Sequence, residues 1–394
     1  MPRTLDLLTA DPALLSLAQQ RRTAQPVENG RPTPVANGQD PLAVVTTKDI
    51  ANRLDLAVST VGRALADDPR ISEATKFRVR QAAAEMGYVG NRAARMMRGA
   101  SSSVVGLVIP DIRNSFYSTI AHELSRNMET RGHQLILSET GDDRMRELRQ
   151  LKELSASRVA GVIIVPSARP HTDSVKLLKT LPHIQLLRRH ASLGAQWFGI
   201  DDFQVLRQAT AHLVGLGHTR IGYIGGPRDL PTGAERLRGF RAALEDAGLP
   251  EEAGPTALGT PSAIDHGRAA VGQLLDAPAP PTALVTASVQ LTLGVLEELR
   301  TRGTKVPKEL SVVGFGDEPG FSWWGPGLTT TALPVEEMAT NCALWLLHRL
   351  TTKPRTDTPY TSVSPGTLLV RGSTARPATG RPGRRAAPRP RSTG

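Results

Sequence analysis

Two textures of hydrophobic and polar positions divide the chain. From Val45 to Gly99 apolar residues recur at helical spacing in three short blocks, and from about residue 103 they gather into continuous runs separated by helical stretches. In the first block a hydroxyl at Thr46 or Thr47 can cap free backbone N–H groups, with Asp49 three residues after Thr46 as a capping-box partner. Ile50, Ala51 and Leu54 then form a buried stripe. Asp55-Leu56-Ala57 interrupts it, and a second helix is predicted through Thr60, Val61, Ala64 and Leu65, which share one apolar edge. A third helix is expected to open at Ser72, pass Phe77 and Val79 as an apolar lid, and stop at Gly87. Two helices joined by so tight a turn, with a third supporting them, read as a helix-turn-helix unit.

In the second texture the runs Val104–Pro110, His133–Glu139, Gly161–Ser167, His183–Arg188 and Trp197–Asp202 read as short buried strands. A second set follows with Arg220–Pro227, Ala283–Ser288 and Leu310–Asp317. Val/Ile/Leu runs alternating with helices imply parallel sheets covered on both faces. Two such sets in succession predict two doubly wound α/β lobes, with a ligand cleft at the carboxyl ends of the strands.

The helical unit points to duplex DNA. Its second helix would lie in the major groove, where the outward residues Val58, Ser59 and Arg63 can reach base edges. Arg63 can donate two hydrogen bonds to guanine O6 and N7, whereas Val58 can only touch a thymine methyl and Ser59 is permissive. The plain alternative is a solvated or phosphate-pairing Arg63 on an ordinary helix surface. Arg92, Arg95 and Arg98 place phosphate-directed charge in the basic segment that follows.

The motifs TKDIA, STVGRAL, RISEATKFRV, AAEMGY and GNRAARMMRG, taken together, resemble the headpiece and hinge of the lactose-repressor (LacI/GalR) family of bacterial transcription regulators. The resemblance extends from about Val45 to Thr374 through IPDIRNSFYSTI, LVGLGHTRIGYIGGP, AERLRGFRAAL, PTALVTA, VPKELSVVGFGD and LLVRGST. It implies an α + α/β protein: a headpiece at 44–88, a hinge helix at 89–102, and a periplasmic-binding-protein-like core at 103–374 whose crossovers fall near 201, 332 and 364. It also implies a homodimer on a pseudo-palindromic operator and a hinge that folds on DNA. Met97 would be the apolar wedge in the minor groove, and small Ala93 and Ala94 would let paired hinge helices approach. By position the DNA-facing set is Thr47, Val58, Ser59, Thr60, Arg63, Asn91, Arg92, Ala94 and Met97. The effector set is Asn114, Phe116, Tyr117, Arg188, Arg236, Ser288 and Gly316. Arg236 leads it, because the family uses the matching guanidinium to hold its ligand bidentately; the alternative is an interlobe salt bridge.

Three positions depart from the headpiece pattern. Ala57 replaces a capping serine, Gly62 another serine, and Gly90 the proline that opens the hinge. A lost cap costs about 0.5–2 kcal/mol and a helix glycine about 1 kcal/mol. The cleft departs too: Ser288-Val289 stands where Asn-Asp is common, and Phe315-Gly316-Asp317 where Phe-Asp-Asp is common. An aromatic before Gly267 is missing, with Pro261 and Ser262 in its vicinity. Such a cleft argues against a plain hexose. Trp323-Trp324 would supply either a new cleft wall or packing and interface residues.

Composition narrows the partners. The 394 residues carry a formal charge of +11, which favours a polyanion. Part of that excess lies in a Pro/Arg/Gly-rich tail, residues 375–394, expected to be disordered. Residues 1–43 fall outside the match and read as a disordered extension or a misassigned start, although Leu5, Leu7, Leu8, Leu14, Leu15 and Leu17 could form a short amphipathic helix.

Enzyme chemistry finds little support. His218 is read as a structural cap, Gly225-Gly226-Pro227 as a strand-exit turn lacking the phosphate-loop lysine, and Cys342, patterned with Leu344 and Leu347, as a core residue. No metal-ligand spacing, membrane-length apolar run or signal-peptide core is visible. The expectation is a cytoplasmic, nucleoid-associated regulator with no cofactor, most simply a repressor bound to a small-molecule effector. The alternatives are the same fold under the control of a protein partner, or a solute-binding module.

Overall fold

The computed structural model describes residues 45–88, 102–352 and 360–378. Asn91, Arg92, Ala94 and Met97 lie outside the described residues, as do 1–44 and 379–394. The chain divides into two units, residues 1–98 and 99–394.

In the first unit, α1 spans Thr47–Leu54 and opens on a capping box: the Thr46 hydroxyl accepts from Asp49 N, and the Asp49 carboxylate accepts from Thr46 N at 2.8 Å. Asp55 takes a left-handed conformation, φ 53°, and turns the chain into α2, Val58–Leu65. Ala57 at the N-cap makes no side-chain hydrogen bond. Helix α3, Glu73–Glu85, starts at Ser72, whose hydroxyl accepts from Thr75 N. Ile50, Ala51, Val61, Ala64, Val79, Ala82 and Ala83 form the core.

Phe77 is no lid, being 68% exposed. Residues 76, 79 and 83 share the inward face of α3, and position 77 sits about 100° away from 76. Lys76 lies inward instead, its stem buried and its amine bonded to Glu73 at 2.7 Å and Asp67 at 3.1 Å.

The second unit holds two six-stranded sheets. The first lobe contains β1 (Val104–Ile109), α4 (Ser115–Glu129), β2 (Gln134–Glu139), α5 (Arg144–Ala156), β3 (Gly161–Ile164), α6 (Thr172–Leu178), β4 (His183–Leu186) and β5 (Trp197–Ile200). The second contains α7 (Asp202–Gly215), β6 (Ile221–Gly225), α8 (Pro231–Asp246), β7 (Thr256–Leu258), α9 (Ile264–Leu275), β8 (Ala283–Thr286), α10 (Val289–Arg302), β9 (Ser311–Phe315) and β10 (Thr329–Ala332). The chain then returns as α11 (Val335–Thr351) and β11 (Thr361–Ser364) to the first lobe, and ends with β12 (Thr367–Leu369) in the second.

The strand orders are β11-β5-β4-β3-β1-β2 and β12-β10-β9-β8-β6-β7. All pairings are parallel except β10 with β12. Parallel strands need crossover helices, which cover the sheets and account for the continuous apolar runs. One hydrophobic cluster, including Leu107, Ile163, Phe198, Tyr223, Val285 and Val313, runs from one lobe into the other.

Three expectations need correction. His133–Glu139 is not a buried strand, because β2 is the sheet edge and leaves Ile136 and Leu137 exposed. Cys342 is buried, yet Leu344 faces outward; the residues buried with it further along α11 are Ala343, Leu346 and Leu347. The chain beyond Thr374 does not leave the fold at once, since Ala375 donates to Ser311 Oγ at 3.0 Å and accepts from His218 Nε2 at 2.9 Å. His218 therefore caps no helix with its ring. It ties the terminal segment to Thr282 and Ser311 across strand ends.

The helix pair α9–α10 shows how closely backbones meet here. A Cβ at Gly294 would lie 2.1 Å from Ile264 O, and one at Gly267 would lie 2.5 Å from Leu291 O. Only glycine permits that approach.

Candidate functional site

Two surfaces carry the chemistry, one in each unit. In the first, α2 turns Val61, Gly62 and Ala64 inward and leaves Val58, Ser59 and Arg63 on the outside, with Val58 47% exposed. Thr60 and Thr47 are half-buried beside them. Among the described residues of this unit four of the seven cations are occupied: Arg53 pairs with Glu85, Arg70 with Asp68, and Arg80 and Lys76 with Asp67. Arg63 makes no ion pair among the described residues. An exposed, unpaired guanidinium on the outward face keeps its whole donor fork for a base edge or a phosphate. Because Ala57 offers no cap, the first-turn N–H groups of α2 also lack a side-chain acceptor.

In the second unit a narrow cleft opens where the strand ends of the two lobes face each other. Pro110, Asn114, Phe116, Tyr117, Asp142, Leu187 and Arg188 line it from one lobe. Leu230, Thr232, Arg236, Ser262, Ser288, Val289 and Phe315 are among those lining it from the other. Asn114 caps α4 by accepting from Phe116 N at 3.1 Å, and the Phe116 and Tyr117 rings that follow line the cleft 5.7 Å apart and edge to face. Ser288 caps α10 and spends its own proton on Pro261 O at 2.7 Å.

Two guanidiniums dominate the cleft, and both already have carboxylate partners. Arg188 is buried and gives two bonds to Asp142, one through Nη2 at 3.1 Å, and another to Pro166 O at 3.2 Å. Arg236 Nε donates to Asp202 at 2.6 Å and its Nη1 to Ala287 O at 2.7 Å, while the guanidinium lies 4.1 Å from the Phe315 ring centre. Burial pushes the Asp202 carboxyl up, and Arg236 pulls against that shift. Behind Arg188, Glu147 is fully buried and accepts from Ser167 N at 2.7 Å; burial raises its pKa as well.

Of the seven expected effector residues the cleft brings together Asn114, Phe116, Tyr117, Arg188, Arg236 and Ser288. Gly316 does not line it. That glycine turns at φ 78° into a neighbouring hollow with Asp317, Glu318 and Glu337. Trp323 and Trp324 supply no wall either: Trp323 is 77% exposed and Trp324 packs against the core of the second lobe. Asp142, Leu187 and Thr232 escaped the sequence reading as cleft residues, whereas Ser262 and Phe315 were named there only among the cleft's departures from the family pattern. For Phe315 the signal was available, as the last residue of a strand whose carboxyl end borders the cleft. Asp142 gave none, because its partner lies 46 residues away.

A helix-turn-helix unit followed by two doubly wound lobes around a cleft defines a class of DNA-binding regulator built on a ligand-binding core. Comparison with known proteins agrees. Residues 46–91 match the family described as bacterial regulatory proteins, lacI family, and residues 210–374 match a periplasmic binding protein-like domain. The chain is 30% identical to the HTH-type transcriptional repressor CytR of Escherichia coli K12 over 306 residues, 77% of this chain and 89% of the relative. It is 31% identical to the HTH-type transcriptional regulator DegA of Bacillus subtilis 168, over 74% of this chain and 88% of that one. Among solved structures, a transcriptional regulator CelR–cellobiose complex aligns with a TM-score of 0.61 at 29% identity, covering 84% of this chain and 99% of that one. The lac repressor dimer bound to operator and the anti-inducer ONPF aligns with a TM-score of 0.73 at 23% identity, covering 84% and 99%, and shares the fold. The chain belongs to the LacI family of bacterial regulatory proteins and is a DNA-binding transcription regulator.

Proposed function

We propose that the protein represses transcription from a pseudo-palindromic operator as a cytoplasmic homodimer, and that a small molecule in the cleft modulates its grip on DNA. The observation that supports this best is an exposed Arg63 without an ion pair on the outward face of α2, in a chain whose second unit carries a cleft lined from both lobes. In this reading Arg63 reads a guanine, Val58 and Ser59 contact neighbouring base edges, and Thr47 and Thr60 position the helix on phosphates. Asn91, Arg92, Ala94 and Met97, outside the described residues, take the hinge role, with Met97 as the minor-groove wedge. Asn114, Phe116, Tyr117, Arg188, Arg236 and Ser288 form the effector wall. No residue is assigned a catalytic role.

The cleft's apolar faces, Phe116, Leu187, Leu230, Val289 and Phe315, outnumber its free hydroxyls and disfavour a plain hexose. Among the described residues no helix is long and apolar enough to cross a membrane.

Selection of bound sequences from a random duplex library tests the DNA half of the proposal. The full chain should return two inverted half-sites. Arg63→Ala should flatten the preference at one base pair per half-site, about 1–3 kcal/mol of discrimination, and leave non-specific binding nearly intact. An unchanged base preference would remove Arg63 from the readout.

A further inference from the structure

The charge arrangement of the cleft carries one step more, resting on its reading as the effector site. We propose that the cleft selects an uncharged ligand, and that Asp142 sets this selectivity by neutralising the one guanidinium the first lobe presents.

Arg188 and Arg236 would each invite a phosphate or a carboxylate if they stood alone. Neither does. Arg188 spends three of its five N–H groups on Asp142 and Pro166 O, which leaves its Nε–H and one Nη2–H without a partner. Arg236 spends its Nε–H and one Nη1–H on Asp202 and Ala287 O, which leaves three N–H groups without a partner. The N–H groups that remain can serve hydroxyl or carbonyl oxygens, but each guanidinium's charge is already balanced by a carboxylate, so an anion gains little net attraction.

Asp142 also lines the cleft, its side chain 26% exposed, so an approaching anion meets a like charge before it meets Arg188. An anion on Arg188 would set a second negative group on one guanidinium, and no other cation among the described residues bonds Asp142 to relieve the repulsion. A cationic ligand fares no better, because Asp142 already receives two guanidinium bonds.

The backbone supports a built arrangement. Asp142 stands at φ 61°, and Leu187, the neighbour of Arg188, at φ 63°. Left-handed geometry is costly for leucine, and such strain persists where the surroundings over-determine it, often at ligand sites. Here it fixes both members of the ion pair on loops that end at the cleft.

Matched neutral and phosphorylated ligands test the proposal on the full-length protein: ribose with ribose 5-phosphate, glucose with glucose 6-phosphate, and adenosine with AMP, by calorimetric titration at one pH and ionic strength. In every pair that binds, the neutral member should bind at least about tenfold more tightly, and Asp142→Asn should shift that ratio toward the phosphorylated member by about tenfold or more. A phosphorylated member that binds the wild type as well as its neutral counterpart overturns the proposal while leaving the effector site standing. Asp142→Asn that folds and leaves the ratio unchanged overturns the role of Asp142. If no pair binds at all, the effector reading fails, and the proposal with it. The wild-type ratio decides the matter even if the variant does not fold.

Discussion

Arg236 shows how one side chain serves both stability and a site. Its pairing with Asp202 is nearly buried, with side-chain exposures of 13% and 7%. Removing the guanidinium leaves a buried carboxylate uncompensated, which costs about 3–5 kcal/mol. Arg236→Ala should therefore lower the stability of the second unit by that order at neutral pH. The pH dependence has a definite sign. Burial raises the folded-state pKa of Asp202 above its ordinary value, and without Arg236 to oppose it the folded protein takes up a proton that the unfolded chain does not. Stability of the variant then rises as pH falls through that raised pKa, reversing part of the loss. Denaturant unfolding at pH 7.5 and 5 checks this, and a deficit independent of pH would show that Asp202 is not the group left exposed to the penalty. The sequence placed Arg236 at the cleft, with an interlobe salt bridge as its alternative; the structure has it at the cleft and in a salt bridge, but one made within the second lobe. It could not name Asp202, since nothing in a linear spacing of 34 residues says which carboxylate the fold delivers.

At the scale of elements, legibility followed local chemistry. The capping box at Thr46, the uncapped start of α2 at Ala57 and the Ser72 cap of α3 were all readable, because a cap is decided within four residues. Phe77 and β2 were misread for one reason: an apolar residue signals burial only if its face meets another element, and α3 and the edge of the first sheet each leave one face open. Strands β7, β10, β11 and β12 were not picked out at all. They have three or four residues each, Thr and Ser are prominent in them, and β11 and β12 lie at sheet edges. The missing cap makes a direct prediction. Ala57→Ser should stabilise the headpiece by about 0.5–2 kcal/mol, read as a rise in its own unfolding transition with that of the second unit unmoved. If the headpiece transition does not rise, the first-turn N–H groups of α2 are satisfied in another way.

For the whole molecule the question is how closure of the cleft is held, because a ligand shifts DNA affinity only through its preference for one arrangement of the lobes. Among the described residues two polar contacts bridge the lobes beside the cleft. Arg169 meets Asp229 at 3.5 Å, with both side chains about half exposed or more. Such a pair is worth little in water. Ser115 Oγ donates to Glu318 at 2.6 Å in a half-buried setting, a charge-assisted bond at the first turn of α4. The two contacts should therefore differ in effect. Ser115→Ala removes the stronger bond and leaves Glu318 solvated, so the closed arrangement is populated less and apparent ligand affinity falls several-fold, in proportion to the lost population. Arg169→Ala should change ligand affinity by less than about twofold. Linkage adds a second readout: if closure is what DNA senses, Ser115→Ala must move DNA affinity in the absence of ligand in the direction opposite to that produced by the ligand. Titrating ligand into the two variants, and DNA into the ligand-free proteins, decides it. Equal effects from the two substitutions would mean that closure rests on the shared hydrophobic cluster, which includes Phe198, Tyr223 and Phe315, and that the polar contacts merely follow it.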